Sequence, residues 1–220
     1  MRSFHDDTYM YRIKLLATTL TLTVFLFSIA YPQTDNSKNL PSKLQERYYS
    51  QHFSLSAGAW IPLSDLAVIG THPSVGLQWG LRHKIHEFNV TLDFRFLKTK
   101  QAYEVVREGA VYVLNDYLGG YIGVEYILWL SASNFVDFGI LAGVGYDGFS
   151  LSRQQVPSEP YEIGSINFNT GIRLNIYTQG ETYFGIQPKY NFINYKNDGG
   201  TSFSGNAVSL QLFVGGFWGL

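Results

Sequence analysis

The sequence predicts an all-β protein, a closed antiparallel up-and-down transmembrane barrel of eight strands. Three observations support this fold class: segments in which apolar and polar residues alternate, connections that are short and long in turn, and a composition rich in aromatic residues and glycine. Aromatic residues make up 16% of the 220 residues and charged residues only 15%, whereas soluble domains carry about 25% charged residues. There is no cysteine, so disulfides and cysteine-ligated metal sites are excluded.

An apolar run at residues 15–30 follows Arg12 and Lys14 near the start of the chain. A basic start before a short apolar core is typical of a secretory signal peptide, which we expect to span residues 1–30. The run contains several threonines and is short for a spanning helix. A retained inner-membrane anchor is the alternative interpretation.

Two further boundaries follow from composition. The stretch before Met10 is acidic, which is unusual for a signal peptide, so Met10 is a more ordinary start than Met1. Residues 31–46 are polar and include two prolines, which predicts a flexible periplasmic lead-in. The barrel is predicted to occupy residues 47–220.

Eight segments with a period of two follow residue 47, and this alternation is the signature of outer-membrane strands. In the third segment, for example, Phe88, Val90 and Leu92 fall on one face, opposite Asn89 and Asp93. In a spanning barrel the apolar face meets lipid and the polar face turns to the lumen. We therefore expect the hydrophobic residues to point outward.

The connections between these segments alternate in length. Short turns on one side and long loops on the other are typical of an outer-membrane barrel, and an even strand number puts both chain ends on the short-turn, periplasmic side. Pro188 lies within the seventh segment and lacks an N–H, which predicts a bulge or gap in the ladder. The short connections are near residues 83–87, 131–134 and 178–181, and the long ones at 62–73, 97–115, 150–160 and 196–205.

Aromatic residues gather at both ends of the predicted strands, as expected for belts at two membrane interfaces. An aromatic-rich β core without a membrane is the alternative, and a soluble lipocalin-like barrel would bury its apolar face inside. The long-loop belt is predicted to contain Trp60, Phe94, Phe96, Tyr146, Tyr190 and Phe192. The short-turn belt is predicted to contain Tyr49, Trp79, Phe88, Trp129, Phe135, Phe184 and Trp218.

Residues 47–220 resemble the small eight-stranded outer-membrane barrels of the OmpA/OmpX type, within the broad "outer membrane protein β-barrel domain" group of Gram-negative bacteria, Bacteroidetes in particular. The resemblance covers the strand pattern, the strand number and the final strand, AVSLQLFVGGFWGL. That strand is similar to the family's C-terminal assembly signal, although it ends in Leu220 rather than an aromatic residue. The resemblance implies a location in the cell outer membrane, contact with outer-membrane lipid, and handling by the barrel-assembly machinery during biogenesis.

Six charged residues fall on the predicted lumen face and are the candidate site residues. Eight strands leave an interior just wide enough for side chains, and buried charges must be paired because their desolvation is costly. We therefore predict a structural network of salt bridges and hydrogen bonds, with a path for a small solute or proton as the alternative. The six residues are Asp93, Arg95, Glu125, Asp137, Arg173 and Lys189; Asp137 is expected to lie lower than the other five, which are expected at similar middle heights.

His52 and Ser54 form an H-x-S pair, which resembles the motif of outer-membrane lipid A deacylases. A histidine beside a serine could activate it as a nucleophile. In that family the motif is late in the chain and faces lipid, whereas here it lies on the first strand with lumen parity. No orienting carboxylate is evident from the sequence, so no catalytic residue is predicted.

The remaining motifs are better explained by structure than by function. His83 and His86 could share a metal, but a third ligand is not apparent. His72, His83 and His86 are therefore expected to be solvated loop and turn residues. Asn89–Thr91 fits a glycosylation pattern but lies inside a predicted strand. No cofactor and no metal site are predicted.

Three classes of function remain. The first is a non-enzymatic barrel with a structural or interaction role through its long loops, where residues 97–115 could extend a hairpin and present a strand edge to a partner protein. The second is a narrow channel or uptake barrel for a small solute, and the third is a lipid-modifying enzyme. The net charge of −1 implies no attraction to nucleic acid. The first class is the one we expect.

Overall fold

The computed structural model describes residues 47–107, 110–132, 135–152, 161–178, 181–195 and 203–219. The predicted signal peptide and lead-in, residues 1–46, lie outside the described residues. Among the described residues, no helix is both long enough and apolar enough to cross a membrane.

Eight antiparallel strands close into a barrel in which each strand pairs with its sequence neighbours and β1 pairs with β8. This confirms the predicted fold class. Closure leaves the barrel wall without an edge, which is the condition for placing strands in hydrocarbon. The strands are β1 (Tyr49–Pro62), β2 (His72–His83), β3 (His86–Arg107), β4 (Ala110–Ala132), β5 (Val136–Ser152), β6 (Tyr161–Tyr177), β7 (Thr182–Asn194) and β8 (Ser204–Gly219).

The β3–β4 hairpin is longer than the other hairpins. The predicted loop at residues 97–115 is mostly strand, because β3 and β4 continue to pair as far as Arg107 and Ala110, with an irregularity between Lys98 and Tyr103. The last β2–β3 pair at this end is Ser74 with Arg95. The outer part of β3 therefore extends beyond its neighbour β2.

The alternation along each strand separates an apolar outside from a polar inside. On β8, Leu212 is 60% exposed while the adjacent Gln211 is 1% exposed. The orientation predicted from the sequence is thus confirmed, and a lipocalin-like arrangement with the apolar face inside is wrong. The outer surface is apolar around the whole barrel, as a lipid-facing wall requires.

The ladder between β6 and β7 is interrupted beside Pro188. Gly171 pairs with Lys189 and Leu174 pairs with Ile186, but no pair lies between them. The register is the same on both sides, so this is a gap rather than a bulge. The gap predicted from the missing N–H of proline is confirmed.

Two tryptophans predicted in the aromatic belts lie inside the barrel. Trp60 and Trp129 are each 2% exposed, so their assignment to the outer surface was wrong. Each lies an even number of residues from a lumen-facing residue of its own strand, Trp60 from Ser56 and Trp129 from Glu125. Because side chains alternate in direction along a strand, both tryptophans point into the lumen. The other predicted belt residues are half-buried or exposed.

The connection between β1 and β2 folds inward over the barrel mouth at the long-loop end. It contains a 3₁₀ helix, Ser64–Ile69, whose Leu66 and Ile69 are fully buried. The backbone N–H of Leu63 donates to the carbonyl of Asn206 on β8 at 2.7 Å. We call this helix and its apolar neighbours the mouth cap: Trp60, Leu66, Ile69, Phe149, Ile163, Ile193, Tyr195, Phe203 and Ala207.

His72 joins the mouth cap to β3. Its Nε2 lies 3.1 Å from the carbonyl oxygen of Ile69 and its Nδ1 lies 3.3 Å from that of Phe96. Its exposed fraction is only 1%, so the expectation of a solvated loop residue was wrong. The physical reason is the inward fold of the loop, which covers the residue at which β2 begins.

Candidate functional site

The barrel lumen contains most of the polar chemistry of the described residues. Five carboxylates and five cationic side chains are buried there, so their formal charges cancel. Such balance is expected, because a buried charge without a partner is strongly destabilising. The carboxylates belong to Glu87, Asp93, Glu125, Asp137 and Asp147, and the cations to Arg47, Arg82, Arg95, Arg173 and Lys189.

The lower cluster lies at the short-turn end of the lumen and is centred on Asp137. Arg82 Nη1 donates to Asp137 Oδ2 at 2.6 Å, and Arg47 Nη1 lies 3.7 Å from Oδ1. The Arg47 guanidinium also lies 4.0 Å from the centre of the Tyr177 ring. Arg47 lies two residues before the start of β1, so the segment that leads into the first strand contributes to this end of the lumen.

Glu87 forms the next level and accepts hydrogen bonds from two strands. Trp129 Nε1 donates to Oε2 at 2.8 Å, and Asn89 Nδ2 donates to Oε1 at 3.0 Å. His52 Nε2 lies 3.3 Å and Arg173 Nη1 4.0 Å from Oε1. The indole N–H of the inward-pointing Trp129 thus has the hydrogen-bond acceptor that a buried indole usually finds.

The middle cluster is centred on Glu125 of β4. Lys189 Nζ donates to Oε1 at 2.7 Å and also lies 3.7 Å from Asp93 Oδ2, so it joins two carboxylates. Gln187 and Gln78 donate to the other oxygen of Glu125 at 3.2 and 3.4 Å. The cluster therefore crosses the lumen from β2 to β4 and β7.

Arg173 links the middle cluster to the Glu87 level. Its Nη1 donates to Gln78 Oε1 at 2.7 Å, and its Nε donates to Asn175 Oδ1 at 3.1 Å. Its guanidinium also lies 4.6 Å from the centre of the Phe213 ring. The side chain is fully buried, so the N–H groups of its planar guanidinium donate to fixed partners inside the barrel.

The upper cluster lies beneath the mouth cap. Arg95 Nη2 donates to Asp147 Oδ1 at 2.5 Å, and Asn167 Nδ2 donates to Oδ2 at 3.1 Å. The hydroxyl of Tyr195 donates to the same carboxylate, and the Arg95 guanidinium lies 4.5 Å from the Trp60 ring centre. Trp60 thus belongs to both the cap and the upper cluster.

A small cavity lies between the middle and upper clusters. Its volume is about 10 Å³, and Asp93, Arg95, Asp147 and Gln211 contribute to its lining. A space of this size is at the lower limit for one water molecule. The charged side chains above and below this cavity are buried as well, so side chains occupy the described part of the lumen.

The structure places all six candidate residues inside the barrel but not all in one cluster. Asp93, Glu125 and Lys189 share the middle cluster, with Arg173 directly below. Arg95 pairs with Asp147 in the upper cluster, and Asp137 lies in the lower one. Strand shear explains the difference in height for Arg95, because counting residues from a turn ignores the tilt of each strand.

Sequence reasoning missed four of the buried charged residues: Arg47, Arg82, Glu87 and Asp147. Asp147 and Arg82 have the lumen parity that could have identified them. The sequence pattern predicts Glu87 in a short turn near residues 83–87, but the turn contains only Lys84 and Ile85, and Glu87 is 2% exposed. A shorter turn would have put Glu87 on the same face as Asn89.

The His52–Ser54 pair lies inside the lumen. His52 Nε2 lies 2.8 Å from Asn89 Oδ1 and 3.3 Å from Glu87 Oε1, so a carboxylate is nearby after all. Asn89 and Glu87 therefore both contact Nε2 of the His52 ring. His52 is 4% exposed, and its ring lies inside the barrel, away from the apolar outer wall.

The fold is shared with solved outer-membrane barrels. The chain is similar to Neisserial surface protein A, with 16% identity, a TM-score of 0.54, and coverage of 78% of this chain and 97% of that one. It is also similar to a major outer membrane protein from Thermus thermophilus, with 10% identity, a TM-score of 0.50, and coverage of 76% and 99%. No protein-family model and no curated protein sequence matches. The chain therefore has the fold of the small eight-stranded outer-membrane barrels.

Proposed function

We propose that this chain is a non-enzymatic barrel of the cell outer membrane, with a filled lumen and an interaction role at its long-loop end. The observation that carries the proposal is the closed lumen. Five carboxylates and five cations are buried along it, and the mouth cap covers one end. A function that acts through the interior has no room there, which leaves the outer surfaces.

The outer surface supports the membrane location. Large apolar side chains are exposed at every strand, and Phe53, Phe94, Ile140, Phe168 and Leu212 are each more than 40% exposed. A surface of this kind on a soluble monomer would be a severe aggregation hazard. In a bilayer the same apolar surface is favourable, because the closed strands pair the backbone N–H and C=O groups of the wall and the side chains meet hydrocarbon.

The route to that membrane is also part of the proposal. A cleaved signal peptide at residues 1–30 would export the chain, and residues 31–46 would lie in the periplasm before β1. The final strand β8, Ser204–Gly219, would present the assembly signal to the barrel-assembly machinery. Outer-membrane lipid is then the permanent partner of the apolar wall.

The paired lumen is proposed to stabilise the barrel rather than to conduct. Each carboxylate has a cationic or amide partner within 4.0 Å, which is how buried charges avoid the cost of desolvation. The alternative, a narrow path for a small solute or proton, would need connected free space. The cavity of about 10 Å³ lies between charged side chains that are themselves buried, which supports a filled lumen.

The β3–β4 hairpin is the proposed interaction element. Beyond the Ser74–Arg95 pair, the described part of β2 has no residue paired with β3 in the ladder, so the edge of β3 beyond Phe96 has no strand paired to it there. The adjacent β1–β2 connection folds inward as the mouth cap, and His72 at its end contacts the carbonyl oxygen of Phe96 on β3. An open strand edge can accept an extended segment of a partner protein through backbone hydrogen bonds.

The test combines assembly with conductance. The chain is refolded in detergent, and its migration on a denaturing gel is compared before and after heating, where a folded barrel is expected to migrate differently from the unfolded chain. The same preparation is reconstituted in a planar bilayer. We expect heat-modifiable migration and no channel steps; a stable ohmic conductance would contradict the filled lumen and favour the channel alternative.

A further inference from the structure

The β2–β3 turn brings two histidines into register at the short-turn end of the barrel. His83 and His86 are directly opposite partners in the ladder, separated by the two-residue turn Lys84–Ile85. Their neighbours Arg82 and Glu87 are buried in the lumen. Because side-chain direction alternates along a strand, both imidazoles belong to the outer face of the barrel wall.

Opposed residues on one face of an antiparallel pair have Cβ atoms about 4.5–5.5 Å apart. Two imidazoles on such a pair can reach one ion, since a metal–nitrogen bond to histidine is about 2.0–2.1 Å long. His86 is exposed and His83 is half-buried. The pair is therefore accessible from the aqueous side of the turn.

Tyr126 on β4 orients one of the two rings. Its hydroxyl lies 2.6 Å from His86 Nδ1, and the two rings stack with centres 6.0 Å apart and an angle of 25° between planes. When Nδ1–H donates to the tyrosine oxygen, Nε2 carries the lone pair that a metal requires. This is the outer-shell arrangement that fixes the tautomer of metal-binding histidines.

We propose that His83 and His86 form a two-nitrogen site for a divalent transition-metal ion, with Cu²⁺ bound most tightly. Imidazole suits copper, nickel and zinc, and the affinity of such ligands rises to a maximum at copper. Calcium and magnesium prefer oxygen ligands. The described residues contain no group of three or more His, Cys, Asp or Glu side chains that could hold a metal, so water completes the coordination and the affinity is modest.

This inference is independent of the proposed function. It concerns the opposite end of the barrel from the β3–β4 hairpin, and it requires neither a conducting lumen nor a protein partner. Binding requires deprotonated imidazoles, so it competes with protons and weakens on acidification.

The experiment titrates Cu²⁺ into the refolded full chain in detergent, with calorimetry for affinity and electron paramagnetic resonance for the ligands. We expect one ion per chain whose spectrum shows two nitrogen ligands. His83→Ala and His86→Ala are each expected to weaken binding on the order of 100-fold, the low end of the gain when two binding groups are linked. Tyr126→Phe is expected to weaken it about 10-fold, because it removes only the orienting contact.

Lys84→Arg is the matched control, since it changes the exposed turn residue between the two histidines, keeps its positive charge and should leave affinity unchanged. The remaining histidines, at positions 5, 52 and 72, are present in every variant, so their contribution cancels. Heat-modifiable migration of each variant shows that the barrel is formed. Binding that is equal in the wild type and in His83→Ala/His86→Ala, or a wild-type spectrum with a single nitrogen ligand, would overturn the proposal.

Discussion

The middle of the lumen and the mouth cap are both buried, but they are built from opposite chemistry. In the middle, Glu125 is surrounded by Lys189, Gln187 and Gln78 within 3.4 Å, and each polar group needs its specific partner. In the mouth cap, Leu66 and Ile69 pack among aromatic side chains. Contacts there are non-directional and depend on filled volume.

This difference predicts how each region responds to substitution. Removing one member of the charged network leaves its partner buried without compensation, so the damage exceeds the value of the lost bond. Removing an apolar side chain from the cap lowers the free energy of unfolding by the transfer free energy of the lost atoms. A further loss grows with the volume of the cavity that is left. The two regions close the same lumen, but they should fail in different ways.

The largest effect is expected for Arg173→Ala in the network. This change leaves Gln78, Gln187 and Asn175 without a donor and should lower the free energy of unfolding by about 3–5 kcal/mol. The temperature at which the folded band disappears on a denaturing gel measures it. Lys84→Ala, at an exposed turn, is the control. A large rise in bilayer conductance with unchanged heat resistance would contradict a structural network.

Leu66→Ala in the mouth cap is expected to lower the free energy of unfolding by about 2–5 kcal/mol, the range for replacing a fully buried leucine with alanine. Amide hydrogen exchange should quicken in Ser64–Ile69 and leave the middle of the strands protected. Ala67→Ser changes an exposed residue of the same helix and serves as the control. Combined with Arg173→Ala, the two losses should add within about 0.5 kcal/mol if the regions are independent; strong non-additivity would show that they are one unit.

A charged side chain on the outer wall should lower the free energy of unfolding by an amount that depends on its depth in the bilayer. Leu212 and Leu130 are 60% and 57% exposed, but Leu130 lies near the short-turn end of β4. In a bilayer Leu212→Arg should cost about 2–4 kcal/mol and Leu130→Arg about 0–1 kcal/mol, measured by reversible unfolding from vesicles. Equal costs at the two positions would argue against hydrocarbon at the level of Leu212.

The smallest effect is expected at the ladder gap. Pro188→Val restores an N–H opposite β6, and one added hydrogen bond should raise the free energy of unfolding by about 0.5–1.5 kcal/mol. Hydrogen exchange at residue 188 provides the direct measurement, because a bonded amide exchanges slowly. An unprotected amide at that position, with no gain in stability, would mean that the gap has another cause.

The alternation of residue types was sufficient to predict the eight strands, their order and their faces. The gap at Pro188 was also predictable, because the missing N–H is a local property. The alternation along the strands also indicated the correct, inward direction of the Trp60 and Trp129 side chains. Their inward position was missed because an aromatic residue near a strand end fits a membrane belt and a buried indole equally well.

The mouth cap could not be predicted from local pattern. It depends on contacts between the β1–β2 connection and β8, such as Leu63 with Asn206, which are far apart in sequence. The pairing of the lumen charges had the same difficulty. Parity places Arg95 and Asp147 inside, but only the tilt of the strands decides which charges meet at one height.

The most direct test of the account measures what surrounds the apolar wall. The chain has no cysteine, so a single nitroxide can be attached at Leu212→Cys or, for comparison, at Lys84→Cys in the exposed turn. Collision with oxygen, which concentrates in hydrocarbon, is compared with collision with a water-soluble nickel chelate in reconstituted vesicles. We predict that oxygen dominates at residue 212 and the chelate at residue 84; equal access of the chelate to both positions would contradict a lipid-facing exterior.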